Sequence, residues 1–212
     1  MIKKGARNLQ SGHYVCLKQD ITGTISNPIK VEYIDSKLAY KTTCKLGKDV
    51  VKYIGATDVA YSSSDYKALC DLQKKISRLY QKKESDYSIV CSAFWESYGT
   101  KTQEFMNRKG NIRKFPKSLI DGEFVVIQTY SGEYVQKAKK VFCIDGKPHV
   151  NNSQVAGIDY FVEISPANVY CAGNNLDHLS ELVEIVNKMI ADHRAIISIL
   201  TEQYKSAINS LV

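Results

Sequence analysis

The chain repeats itself at a fixed offset, and this constrains its fold more than any other feature of the sequence. Leu9-Gln10-Ser11-Gly12-His13-Tyr14-Val15 lies over Leu119-Ile120-Asp121-Gly122-Glu123-Phe124-Val125. Lys30-Val31, Ile34-Asp35 and Lys37 recur as Lys140-Val141, Ile144-Asp145 and Lys147. Gly47, Asp49, Ile54 and Val59 recur as Gly157, Asp159, Ile164 and Val169, and Leu69 and Leu72 as Leu179 and Leu182. One compensated gap near Gly23 and Gly132 keeps the offset constant from Leu9 as far as Leu72. Whatever one copy folds into, the other does too.

Each copy predicts a group of short strands followed by a helix. In the second copy, Glu123 to Thr129 is rich in β-branched and aromatic residues, as a strand should be. Ser131-Gly132 is a turn, Lys139 to Asp145 a second strand, and Asp145-Gly146 a hairpin signal leading into Lys147 to Val150. Gly157 breaks the chain before Tyr160 to Ile164, and Ser165-Pro166-Ala167-Asn168 turns into Val169-Tyr170-Cys171. About five strands between Glu123 and Cys171 leave no room for crossover helices, so a small, strongly bent antiparallel barrel is the natural way to bury them. Asn174-Asn175 then offers a helix cap. Leu179, Val183, Val186, Ile190, His193, Ile197, Leu200, Tyr204, Ala207 and Leu211 follow at spacings of three and four, a heptad seam sustained to the C-terminus. The helix predicted over 175–212 is roughly 55 Å long. In the first copy, Leu69, Leu72, Ile76, Leu79 and Tyr80 start the same seam after Ser64-Asp65. Lys82-Lys83-Glu84-Ser85 interrupts it, and Tyr87, Val90, Phe94 and Trp95 resume it. Helices this long cannot bury their stripes on their own barrels, so they pair with each other or, in a homodimer, with another subunit.

The organisation expected is α+β: a first β-barrel over 1–62, a first helical segment over 63–108, a connection over 109–118, a second β-barrel over 119–173 and a long helix over 174–212. No apolar run approaches the ~18–20 residues a membrane-spanning helix needs, and Met1-Ile2-Lys3-Lys4-Gly5-Ala6-Arg7-Asn8 has no apolar stretch behind its charge, so neither membrane insertion nor a secretory leader is expected. Cys16, Cys44, Cys70, Cys91, Cys143 and Cys171 are widely spaced, with no CxxC pair. Cys16, Cys143 and Cys171 stand in apolar strand-like settings, where a thiol acts as a small buried hydrophobe. A reducing cytoplasmic location follows.

Chemistry-bearing motifs are missing. His13, His149, His178 and His193 form no HxxH or HExxH pattern, and His193 falls on the helix seam as a packing residue. There is no GxxxxGK[ST] loop, no GxGxxG and no GxSxG elbow. Asp35 and Asp145 recur in both copies, as do Asp49 and Asp159, but the settings Ile-Asp-Ser and Ile-Asp-Gly mark turn residues rather than an acid–base pair. No enzyme activity, cofactor or metal is expected.

Charge carries the functional signal. Up to Ser118 there are 22 Lys and Arg against 11 Asp and Glu, a net of +11; from Leu119 there are 7 against 11, a net of −4. Lys41, Lys45, Lys48 and Lys52 lie on or beside the third and fourth strands, with Tyr40 and Tyr53 among them. Lys74, Lys75, Arg78, Lys82 and Lys83 lie on the first helix, and Lys101, Arg108, Lys109, Arg113, Lys114 and Lys117 in the connection. Cations interleaved with tyrosines suit phosphate contacts plus base stacking. From these, Lys41, Lys45, Lys48, Lys52, Tyr40, Tyr53, Lys74, Lys75, Arg78, Arg113 and Lys114 form the expected nucleic-acid-binding set. An acidic protein surface would be attracted by the same field.

The barrel pattern resembles the small SH3-like barrels of the Tudor and KOW type. The resemblance rests on Leu119 to Val125 as opening strand, Gly132 in the first turn, the Ile144-Asp145-Gly146 hairpin and the closing Ile164-Ser165-Pro166-Ala167-Asn168-Val169. It covers the strand region of each copy and implies binding of nucleic acid or protein peptides rather than catalysis. The chain shows no four aromatics spaced to converge, so the resemblance does not extend to methyl-lysine recognition. Low proline with many Lys, Tyr and Asn residues is compatible with a phage-encoded protein. The leading expectation is a non-enzymatic protein whose basic first repeat contacts the nucleic-acid backbone. The alternative is a protein-interaction module, an inhibitor or structural subunit that binds a host or virion protein through an acidic surface.

Overall fold

Successive residues of a strand point to opposite faces, so the adjacent apolar pairs Val15-Cys16 and Val125-Val126 set up a central strand in each copy that is buried on both sides. In the computed structural model, which describes residues 1–19, 24–45, 47–128, 135, 137–152 and 159–212, the first copy contains β1 (Lys3–Lys4), β2 (Tyr14–Gln19), β3 (Thr24–Ile25), β4 (Ile29–Lys30), β5 (Glu32–Ile34), β6 (Lys37–Thr43), β7 (Asp49–Tyr53) and β8 (Val59–Ser63). Helix α1 (Tyr66–Lys109) follows, then β9 (Ile112–Lys114), β10 (Phe124–Ile127), β11 (Lys139–Ile144), β12 (Lys147–Asn151), β13 (Phe161–Glu163) and β14 (Val169–Gly173), and finally α2 (Leu176–Asn209). The chain is mixed α+β, with all strand pairs antiparallel. The sheet orders are β1-β8-β2-β3 with β4 also on β2, β5-β6-β7, and β13-β12-β11-β10-β14-β9. Among the described residues none of these sheets closes on itself. The turn glycines Gly23, Gly132 and Gly157 lie outside the described residues.

The duplication holds at the level of strand register. Tyr14 pairs with Ser63 and Lys30, and its counterpart Phe124 pairs with their counterparts Gly173 and Lys140. The register slips between Cys16 and Leu17 and again between Val126 and Ile127. Both copies make the Asp35-Ser36 or Asp145-Gly146 hairpin turn with positive φ at its two central residues, 49° and 61° in one and 51° and 74° in the other. That is the turn chemistry the Asp-Gly signal implies. The repeat also starts earlier than the sequence comparison shows. Lys3 and Lys4 pair with Ser62 and Tyr61, and their counterparts Arg113 and Lys114 pair with Ala172 and Cys171. Part of the expected connection is therefore a strand of the second copy.

The chain divides into two compact units, one of residues 1–88 and 198–212, the other of residues 89–197, so each helix contributes to both. Within each unit the central strand separates two apolar clusters. In unit 1, Val15, Val31, Leu38 and Val59 fill the space between the sheets, while Cys16, Tyr61, Leu69, Leu72 and Ile76 pack the β1-β8-β2-β3 sheet against α1. In unit 2, Val125, Val141, Val150 and Val169 make the inner cluster, and Val126, Cys171, Leu179, Leu182 and Val186 the one beneath α2. The caps match: Asp65 Oδ1 accepts from Ala68 N, and Asn175 Oδ1 from His178 N, each at 3.0 Å.

The heptad seam is covered within the chain. In unit 1, Tyr204 donates to Asp86 Oδ2 at 2.6 Å and the Tyr87 hydroxyl bonds that of Thr201. In unit 2, His193 stacks on Phe94 with centroids 4.2 Å apart. His193 is the half-buried packing residue expected from its place on the seam. Helix α1 runs unbroken through Lys82-Lys83-Glu84-Ser85, where the apolar seam lapses, and Lys83 Nζ lies over the rings of Tyr80 and Tyr87 on either side at 5.7 and 5.1 Å. All six cysteines are free thiols. Cys16 and Cys171 are buried as expected, but Cys143 is exposed, because β11 runs past the inner cluster before reaching its hairpin turn.

Candidate nucleic-acid interface

The expected binding residues separate into groups with different surroundings. Lys45 and Lys48 sit at the tip of the β6–β7 hairpin, which is closed by Cys44 N donating to Lys48 O at 2.8 Å. The period of two sends Lys41 and Lys52 to opposite faces: Lys52 is directly across from Tyr40, and Lys41 from Val51. Tyr40 packs against the inner cluster, and Tyr53 stands exposed with Lys37 Nζ 5.8 Å from its ring centroid. Lys41 Nζ is 3.7 Å from Glu32. Lys74, Lys75 and Arg78 project from the solvent side of α1. The hairpin and α1 occupy separate layers of unit 1, so the structure does not gather these residues into one patch.

Arg113 is differently placed. Its guanidinium forms an ion pair with Glu123, whose side chain is only 2% exposed and which also accepts from Ile120 N at 2.6 Å. A second Arg113 nitrogen donates to Ser118 O at 3.1 Å. This arginine compensates a buried carboxylate, and two of its nitrogens are already engaged. Lys114 Nζ lies 5.5 Å from the Phe115 ring centroid and 5.9 Å from that of Tyr170. Lys109 and Arg108 reach Glu181 at 2.8 and 4.0 Å, and this pair, led by the Lys109 hydrogen bond, holds the Glu181 carboxyl below its usual range.

By contrast Lys45, Lys48, Lys52, Lys74, Lys75 and Arg78 are exposed and make no ion pair among the described residues. The division into units sharpens the charge asymmetry. Unit 1 holds 17 Lys and Arg against 10 Asp and Glu, a net of +7, and unit 2 holds 12 of each. The whole net charge of the chain belongs to unit 1.

Sequence reasoning missed a pair of clefts at equivalent positions. In unit 1 a cleft of about 670 Å³ has an apolar floor that includes Ile25, Ala60, Ile76 and Tyr80, and Ile208 and Asn209 of α2 line it too. Lys4, Arg7 and Lys18 stand at its rim, and no Asp or Glu among the described residues lines it. Burial, then Tyr80 and Cys16, raises the Tyr61 phenol above its ordinary range at the base of this cleft. In unit 2 the counterparts of Lys4, Gly5, Lys18, Ile25, Ala60 and Tyr80 are Lys114, Phe115, Gln128, Val135, Tyr170 and Ile190, and they surround only about 100 Å³. Trp95 and Tyr98 of α1 complete that second pocket. Four aromatic rings therefore do converge, contrary to expectation, with the chain's own Lys114 already over two of them. The signal lay in the repeat itself, where Gly5 answers to Phe115 and Ala60 to Tyr170 at the common offset.

Among the described residues no group of His, Cys, Asp and Glu is arranged to hold a metal ion, and no helix is long and apolar enough to cross a membrane. Comparison with known proteins finds no match to this chain: no family model, no curated protein and no solved structure is similar to it.

Proposed function

We propose that the protein binds nucleic acid, gripping the phosphate backbone with the cationic surface of unit 1. The observation that carries this is the confinement of the whole net charge to unit 1, where six exposed cations of the expected set have no ion-pair partner among the described residues. The face of α1 is the main contact. Lys74, Arg78 and Lys82 follow each other at i, i+4 and i+8, an arrangement of like charges that costs a helix about 0.2–0.5 kcal/mol per pair unless an anion lies along it. The hairpin tip with Lys45 and Lys48 is a second, separate contact. Recognition is electrostatic and independent of sequence, since phosphate contacts position a protein without reading bases.

The same reading takes each copy as an open SH3-like barrel, supported by short antiparallel strands wrapped around one inner apolar cluster per copy. A protein-interaction role is the second reading. It is favoured by β7, an edge strand exposed along its whole length, with Val50, Val51 and Tyr53 open to solvent.

Fluorescence anisotropy with duplex DNA and duplex RNA at about 50 mM and 200 mM salt tests the proposal. Lys74, Lys75, Arg78 and Lys82 on α1 with Lys45 and Lys48 at the hairpin tip, six cations in all, set the log–log slope of affinity against salt at about −5. A steep fall in affinity between the two salt concentrations supports backbone binding. Negligible binding at both overturns it and leaves the edge strand as the better guide.

A further inference from the structure

The two clefts have the same backbone and different contents. Gly5 N donates to Ala60 O at 2.9 Å, and at the equivalent place Phe115 N donates to Tyr170 O at 3.0 Å. Both Gly5 and Phe115 take positive φ, 72° and 47°. In unit 2 the rings of Phe115 and Tyr170 meet edge to face, 5.8 Å between centroids, beneath the ammonium of Lys114. In unit 1 the ammonium is kept as Lys4, held by a 3.1 Å hydrogen bond to Asn209 Oδ1, and both rings are gone. The two positions that carry rings beneath the lysine in the second copy are thus bare in the first, Gly5 and Ala60, while the lysine is kept.

We propose that the unit 1 cleft binds a nucleotide, an aromatic ring carrying phosphate, taken free or as one residue of a strand. Its volume of about 670 Å³ lies within the range of ~300–1,000 Å³ usual for small-ligand sites. The part-exposed Tyr80 ring, with Ala60 and Ile208 beside it, gives the base an aromatic and apolar surface to stack on. The rim supplies the anion's partners. Lys18 Nζ is held by the Thr57 carbonyl at 2.7 Å, and Arg7 has no ion-pair partner among the described residues and offers a two-pronged donor to phosphate. A carboxylate in the lining would repel such a ligand, and the described residues place none there. The α1 cations are not part of the cleft, so this site goes beyond the backbone contacts proposed above and stands or falls apart from them.

Titration calorimetry on the full chain tests the site, using adenosine 5′-monophosphate, decathymidylate and inorganic phosphate as probes. Ala60→Tyr gives the first copy the side chain that fills the second. The expected result is one mononucleotide per chain, bound at least tenfold more tightly than phosphate and weakened at least tenfold by Ala60→Tyr. The salt-dependent binding of duplex by that variant should stay as it was. Decathymidylate binding that Ala60→Tyr weakens tenfold, with no binding of the mononucleotide, assigns the cleft to a residue within a strand. If neither nucleotide probe senses the substitution, or phosphate binds as tightly as the mononucleotide, the site is not a nucleotide site. Should Ala60→Tyr lower the melting temperature to the point of unfolding, Arg7→Glu, at an exposed residue, decides instead: it should weaken the mononucleotide at least tenfold, and unchanged mononucleotide binding overturns the site.

Discussion

Single residues in this protein are best understood against their counterparts in the other copy. Glu123 replaces His13 at a site that in both copies accepts a hydrogen bond from the turn backbone, Ile120 N in one and Gln10 N in the other. The replacement brings a buried carboxylate, and Arg113, where the first copy has Lys3, compensates it. Removing the half-exposed arginine leaves the buried carboxylate with the Ile120 N–H as its partner, so Arg113→Met should destabilise the protein by about 1–3 kcal/mol in urea unfolding. Adding Glu123→Leu should recover most of that loss, and equal losses in the single and double variants would show that the pair does not act as a unit. The thiols give a second residue-scale test. Burial, with a smaller contribution from Cys70, pushes Cys16 from 9.0 up to about 12, and burial pushes Cys171 by the same amount against the pull of Lys114. These thiols ionise more readily unfolded than folded, so their contribution to stability is complete below pH 9 and is lost as pH rises from 9 towards 12. The melting temperature should therefore fall across that window, and less so in Cys16→Ala/Cys171→Ala. Alkylation of the native protein should label exposed Cys143 well before either buried thiol.

At the scale of elements, the helices and the central strands were legible because their patterns are long and periodic. The seam positions Leu179, Val183, Val186 and Tyr204 are all buried, while Ile196 and Ile199, which fall off the seam, are exposed. Leu179→Ala, at a fully buried seam position, should then cost about 2–5 kcal/mol as a cavity in the core, whereas Ile196→Ala should stay within about 0.5 kcal/mol. Comparable losses at both positions would mean that the seam was misassigned. What the sequence hid has physical reasons. β1 and β9 are two and three residues long and built largely from Lys and Arg, too short and too polar to carry a period, so the true start of each copy went unseen. Cys143 looked buried because its neighbours are apolar, yet burial depends on where the strand leaves the inner cluster, which composition does not record. The expected Lys41–Lys52 cluster failed on the strand period itself, which turns cross-strand lysines to opposite faces according to register. The clefts were hidden because they depend on α2 lying beside α1 within unit 1, which brings Ile208 and Tyr80, far apart in sequence, to the same cleft.

At the scale of the whole molecule, duplication kept the scaffold and divided the surface properties between copies. The registers, caps and hairpin turns coincide, so the differences between copies are differences in what each presents. Unit 1 carries the net charge of +7 and the open cleft; unit 2 is neutral, and its pocket is filled by its own rings. This division makes the electrostatic proposal testable by comparing equal charge changes on the two units. Lys74→Glu/Lys75→Glu/Arg78→Glu removes three unpaired cations from α1 and should weaken duplex binding for all sequences alike, making the log–log salt slope shallower by about 3. Lys137→Glu/Lys139→Glu/Lys140→Glu makes the same change in charge on unit 2. There Lys139 already bonds Asn152 and Lys140 lies over the Phe142 ring at 5.9 Å, so the slope should move by less than about 1. Equal effects from the two triple variants would mean that binding responds to overall net charge and not to a surface on unit 1. The comparison needs both variants to keep the parent's melting temperature. The α1 triple is expected to do so: positions 74 and 78 still repel, now as two carboxylates, while position 78 comes to attract Lys82, and changes at three exposed sites alter stability little.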